Sequence, residues 1–241
     1  MITFKEYLLE ASSNEKISFE KLMHGDCAAF YQQSKQKGLL IRGISGYGTL
    51  EGTLVFDNPE LSQKGVKFTL FRKTVRKDRY PMDTVKEIHT ILDDWFEEEM
   101  GTRARSQALF VFGESGREAA SEYGGGLCVV LPIGAFHYVW SPKVKDLYDD
   151  VIRGKVQTTP RPGNKATIDP AYIGSDGKPD LEKFDKLMKG LGYTINGFDK
   201  AVESTSEIMI DCNEFYVIPL AQDEEHRELQ IAVLKKAFVQ A

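Results

Sequence analysis

Residues 204–219 read STSEIMIDCNEFYVIP, and this stretch decides the class of fold. EIMI (207–210) and FYVIP (215–219) are short apolar runs, too brief for ordinary helices and rich in β-branched and aromatic side chains. Each predicts a strand. Cys212, Asn213 and Glu214 between them form a polar turn. Glu207 opens the first strand. A carboxylate there either heads a sheet end that faces a cleft or is a solvated strand terminus.

Upstream, LCVVL (127–131) and FHYVW (136–140) predict two further strands joined by a Pro/Gly turn, and ALFVF (108–112) predicts another. Val66, Phe68 and Leu70 alternate with polar residues, the mark of a half-buried strand. LLIRGI (39–44) is an apolar strand interrupted by one arginine, followed by glycines 46, 48 and 52. Helices are expected from about 18 to 37, closed by Gly38, and from Thr84, where Glu87 completes capping-box spacing. The latter turns Val85, Ile88, Leu92, Trp95 and Phe96 inward and stops at Gly101. Ser115 and Glu118 have the same spacing for a short helix ending near Tyr123. Further helices are expected around 147–152, 180–191 and 223–239, and MITFKEYLLEA places Phe4, Tyr7, Leu8 and Ala11 on one helical face. From 154 to 179 the composition turns to Gly, Pro, Thr and Asn, which predicts a mobile loop long enough that function or disorder must explain it. Helices gather early and short strands late, so the expectation is α+β and not a regular βαβ array.

The 241 residues suit a single domain over 1–241, and 41% hydrophobic with 11% aromatic residues suffices for a core. A net charge of −5 argues against broad binding to polyanions. Cys27, Cys128 and Cys212 are odd in number and far apart, without Cys/His ligand spacing, so neither a disulfide framework nor a metal site is expected. Reduced thiols and the lack of a leader or a membrane-length apolar run give a soluble, cytoplasmic protein as the expectation, with no membrane partner.

Three segments contain the candidate chemistry. Arg42 within an apolar strand needs an anion or a carboxylate if buried, and needs neither if it lies on an edge facing water. Gly43 beside it permits close approach of a ligand to the backbone. In RSQALFVFGESGREAASEYGGG (105–126), Phe110 and Tyr123 either form an aromatic slot for a flat heterocycle or belong to the core. The glycines at 124–126 lack dinucleotide-fingerprint spacing. The third segment is the one headed by Glu207. The basic run of Arg72, Lys73, Arg76, Lys77 and Arg79 is either a contact surface for an acidic target or a solvated exit from a strand.

Together LLIRGI, RSQALFVF with AASEYG, and SEIMIDCNEFYVIP resemble, in that order, the three motifs of the mono-ADP-ribosyltransferase superfamily. The opening MITFKEYLLEA resembles the starts of tailed-bacteriophage proteins, which implies a host cytoplasm as location. The resemblance spans about residues 39 to 219. It implies an ADP-ribosyltransferase-like split, mixed or antiparallel sheet flanked by helices, with NAD as the substrate. It further implies Glu207 as the catalytic carboxylate, Arg42 on a pyrophosphate or ribose oxygen, and Ser106 orienting Glu207. Gly43 would bind the nicotinamide amide, with Phe110 and Tyr123 packed round the ring. Only Ser106 stands where the family often has Ser-Thr-Ser. Thr205 occupies the position that is Glu or Gln in arginine-modifying members, which leaves the acceptor open between protein and nucleic acid. Two other readings remain: a transferase fold without catalysis, serving as a virion or scaffold component, and a nucleic-acid-binding module using residues 72–79.

Overall fold

A computed structural model describes residues 19–44, 53–56, 68–79, 83–124, 126–158 and 165–241. The helical face of residues 4–11, the glycines at 46, 48 and 52, and Val66 lie outside them. The strands are β1 (Leu40–Ile44), β2 (Thr53–Phe56), β3 (Phe68–Thr74), β4 (Leu109–Gly113), β5 (Gly126–Ile133), β6 (His137–Trp140), β7 (Glu207–Asp211) and β8 (Glu214–Pro219). They form one eight-stranded sheet in the order β2-β3-β8-β5-β1-β4-β7-β6. Every neighbouring pair is antiparallel. The chain is α+β, and its sheet is antiparallel, not mixed.

Alternation along the strands sends side chains to two cores. Ile208 and Ile210 of β7 join the core that includes Leu22, Phe30, Val129, Val217 and Leu234. Met209 joins the other, with Ile88, Phe96, Leu147, Phe184 and Met188. The helices Phe19–His24, Ala28–Ser34 and Glu224–Gln240 cover the first, and Lys86–Met100 with Leu181–Leu191 cover the second. Glu207, two residues before Met209, lies on the second side.

The central pair is where the sheet opens. β1 pairs with β5 at five positions, from Leu40↔Val130 to Ile44↔Gly126, but with β4 only at Leu40↔Gly113 and Ile41↔Phe112. Beyond Ile41 the two strands part, which leaves a gap beside Arg42 and Gly43.

Several local expectations are corrected. The helix over 18–37 is broken at residues 25–27, where the Asp26 carbonyl accepts from Gly134 N (2.8 Å) and its carboxylate accepts from Tyr216 Oη (2.7 Å). It ends at Ser34, not Gly38, because Lys35 (φ 49°) and Gln36 (φ 61°) turn left-handed. Neither capping box forms. Gln157 replaces the first, taking Val85 N through Oε1 (3.0 Å) and donating to the Asp83 carbonyl (2.8 Å). A 3₁₀ turn, Glu114–Gly116, precedes the Arg117–Glu122 helix in place of the second. Residues 147–152 make a π-helical turn, Tyr148–Ile152. The helix Phe198–Glu203 has no counterpart among the expectations. The described parts of 154–179 carry the bridges Arg153↔Gln157, Gln157↔Ile168 and Ile173↔Pro179 and a 3₁₀ turn, Pro170–Tyr172, so that stretch is not structureless.

Candidate functional site

The gap between β1 and β4 opens into a cleft of about 440 Å³ lined by Arg42, Arg79, Arg105, Phe110, Tyr123 and Asp146, among others. Arg42 spans the gap. Its Nη1 donates to the Phe110 carbonyl at 2.5 Å. Continued register would set Phe110 opposite Gly43, since Ile41 faces Phe112. A side chain thus takes the acceptor that the parted ladder leaves. Burial lowers the pKa of Arg42, with Cys128, Tyr123 and Glu207 acting in the opposite direction.

Gly43 is required by packing. An added Cβ would lie 2.2 Å from the Ala120 carbonyl oxygen and 2.8 Å from Gly124 N, so the Arg117–Glu122 helix and Tyr123 rest directly on its backbone. Leu220 N donates to the Leu127 carbonyl (2.9 Å), which turns the backbone polar groups of Leu127 toward β8. In an antiparallel ladder Gly43, opposite Leu127, then directs its own N–H and C=O the other way, into the gap.

Glu207 is 4% exposed and is anchored by its own amide, which donates to the Lys145 carbonyl at 2.7 Å. Its Oε1 contacts the Tyr123 hydroxyl at 2.7 Å, and that hydroxyl also contacts Asp146 Oδ2. Asp146 is fixed through its other oxygen, Oδ1, which accepts from the amides of Tyr148 (2.7 Å) and Asp149 (3.0 Å) at the head of the π turn. One phenolic proton cannot serve two ionised carboxylates, so a second proton must be present for both contacts to be hydrogen bonds. Burial, and then the charge of Asp146, push Glu207 up to about 7, so below that pH Glu207 carries the second proton. The same two causes, burial and the adjacent carboxylates, raise Tyr123 well above the phenol range.

The remaining residues named from sequence are placed differently. Ser106 does not meet Glu207: its Oγ donates to Asp93 Oδ2 (2.5 Å), and its amide and that of Arg105 donate to Asp93 Oδ1 (3.1 and 2.9 Å). Asp93, buried on the Lys86–Met100 helix, holds the Ala104–Gln107 turn through Ser106. The Phe110 ring carries two guanidinium groups, Arg79 at 4.6 Å and Arg105 at 5.2 Å from its centroid. The basic run is no continuous surface. Arg72 makes a two-point contact with Glu214 (2.9 and 2.6 Å), Arg76 meets Asp78 (3.5 Å), and Lys77 binds Asp211 (2.5 Å). Lys73, next along β3, projects to the opposite face from Arg72. Arg79 turns into the cleft.

Arg105, Asp146 and His89 escaped the sequence reading. Arg105 lies one residue before Ser106, and only its adjacency to that motif offered a signal. Asp146 lies far along the chain from Arg42, and His89 is one polar residue on an amphipathic helix, so no spacing marks either. The cleft is lined by charges of both signs, Arg42, Arg79 and Arg105 together with Asp83, Glu122, Asp146 and Asp149. No described helix is long and apolar enough to cross a membrane. Comparison of the chain with protein-family models, curated proteins and solved structures finds no match.

Proposed function

We propose that the chain is an NAD-dependent ADP-ribosyltransferase whose cleft lies between β1 and β4. The observation that carries this reading is that Arg42 and Tyr123, far apart in sequence, line one cleft, with Gly43 beside Arg42 on β1 and Glu207 buried behind Tyr123, 2.7 Å from its hydroxyl. A cleft lined by charges of both signs suits a ligand with an anionic diphosphate and a cationic pyridinium.

The reaction would proceed by heterolysis of the bond between the ribose C1′ and the nicotinamide nitrogen. The electron pair leaves with nicotinamide, which becomes neutral, and C1′ gains oxocarbenium character. The acceptor's lone pair then bonds to C1′ and the acceptor loses a proton to solvent. Glu207, once ionised, stabilises the positive charge on the ribose from a site where little water competes. Tyr123 holds that carboxylate in place. Gly43 offers its N–H and C=O to the nicotinamide amide, and Arg42 offers its remaining donors to a ribose or phosphate oxygen. The acceptor is a macromolecule, protein or nucleic acid.

Nicotinamide release from NAD by the purified protein, with transfer of labelled ADP-ribose to a cell lysate, tests the reading. Wild type should release nicotinamide and label a target, and Glu207→Gln should do both about 10²–10³ more slowly. The engagement of Ser106 by Asp93 favours a second reading, in which the fold binds nucleotide without catalysis and serves as a virion or scaffold component. Saturable NAD binding without nicotinamide release would favour it.

A further inference from the structure

We propose that Arg79, Arg105 and His89 form a phosphate subsite, laid over Phe110 beside Arg42, that takes the diphosphate of a nucleotide. The contrast with nearby cations points there. Arg72, Arg76, Lys77 and Arg103 each have a carboxylate within 3.6 Å. Among the described residues neither Arg79 nor Arg105 has one, though both sit over the same ring at 4.6 and 5.2 Å. The Nε of Arg105 and the Nδ1 of His89 are buried without a hydrogen-bond partner, and His89 is only 9% exposed. Buried polar nitrogens are rarely left unpaired in folded proteins, so two in one cleft mark a place for a ligand.

The charges agree. Arg79 is depressed to about 10, first by burial and then by Arg42 and Arg105, which is like-charge crowding that an anion relieves. Burial and Arg105 lower the pKa of His89, so near neutrality it meets the ligand as an uncharged ring. Planar guanidinium forks match phosphate oxygens in pairs, and three of them match a diphosphate better than a single phosphate monoester. Phe110 then serves as the platform that holds two forks apart, and not as a cover for a heterocycle. This deepens the transferase reading by assigning the diphosphate to these residues, but its test does not depend on turnover.

Titration calorimetry with inorganic pyrophosphate, ADP-ribose, AMP and a single-stranded oligonucleotide tests it, on wild type, Arg79→Gln, Arg105→Gln and the exposed control Lys189→Gln, which lies outside the cleft. Removing one of several mutually repelling cations should leave the fold intact, which thermal melting checks. Arg79→Lys and Arg105→Lys keep the charge without the fork. Wild type should bind pyrophosphate and ADP-ribose more tightly than AMP. Arg79→Gln and Arg105→Gln should each lose about tenfold or more for both, with the Lys variants intermediate and Lys189→Gln unchanged. Unchanged affinities in both Gln variants, or wild-type binding to the oligonucleotide alone, would overturn the subsite. If the variants lose pyrophosphate while wild type never releases nicotinamide from NAD, the subsite stands and the transferase reading falls. If NAD is cleaved with the same KM in wild type and both Gln variants, the transferase reading stands and the subsite falls.

Discussion

Glu207 is a carboxylate whose environment favours its neutral form, and two measurable consequences follow. Stabilising an oxocarbenium ion needs the ionised group, so nicotinamide release should increase as pH rises through about 7, where Glu207 loses the proton it shares with Tyr123. A rate already maximal at pH 5.5 would contradict that assignment. The second consequence concerns stability. The folded pKa lies above the unfolded value, so the neutral carboxyl's contribution is complete below about 4.5 and is lost as pH rises through about 7. Glu207→Gln, which cannot ionise, should therefore gain on wild type between pH 5 and pH 8 by roughly 3 kcal/mol in urea unfolding. Equal differences at the two pH values would show that Glu207 is not perturbed.

At the scale of elements, the site depends on how the Arg117–Glu122 helix sits on β1. Gly43→Ala would drive a methyl to 2.2 Å from the Ala120 carbonyl oxygen, which is backbone and cannot move alone. The helix and Tyr123 must shift, at a cost of about 1–3 kcal/mol, and the Tyr123–Glu207 contact should loosen with them. Urea unfolding and NAD affinity measured on this variant check both, and a variant with wild-type values for each would remove Gly43 from the account. Elements were the most legible level of the sequence. Short runs such as EIMI and LLIRGI announce strands by length and composition, and β7 and β1 lie where those runs predict. Caps are not legible in the sequence because their partners come from elsewhere: Val85 N is held by Gln157, 72 residues away. The site was half legible for the same reason. Arg42 and Glu207 are marked by a charge in apolar surroundings and Tyr123 by an aromatic ring before a glycine run, whereas Asp146 and His89 become functional candidates only through tertiary placement. Ser106 stood at the right place in the sequence, but Asp93 on a neighbouring helix takes its hydroxyl.

Across the whole molecule, an eight-stranded antiparallel sheet divides two cores and opens at its middle, between β1 and β4. Its three cysteines are all buried and unpaired, and burial raises each thiol, Cys128 and Cys212 to about 12. A thiol reagent at pH 8 should modify none of them in the native protein and all three in denaturant. Rapid labelling of Cys128 under native conditions would mean that the centre of the sheet is open to solvent. That centre is also where the proposed chemistry resides. Nicotinamide release from NAD, followed at pH 8 in wild type and Glu207→Gln, tests it most directly. Wild type should release nicotinamide, and the variant should do so about 10²–10³ more slowly. Release at equal rates by both proteins, or by neither, would contradict it.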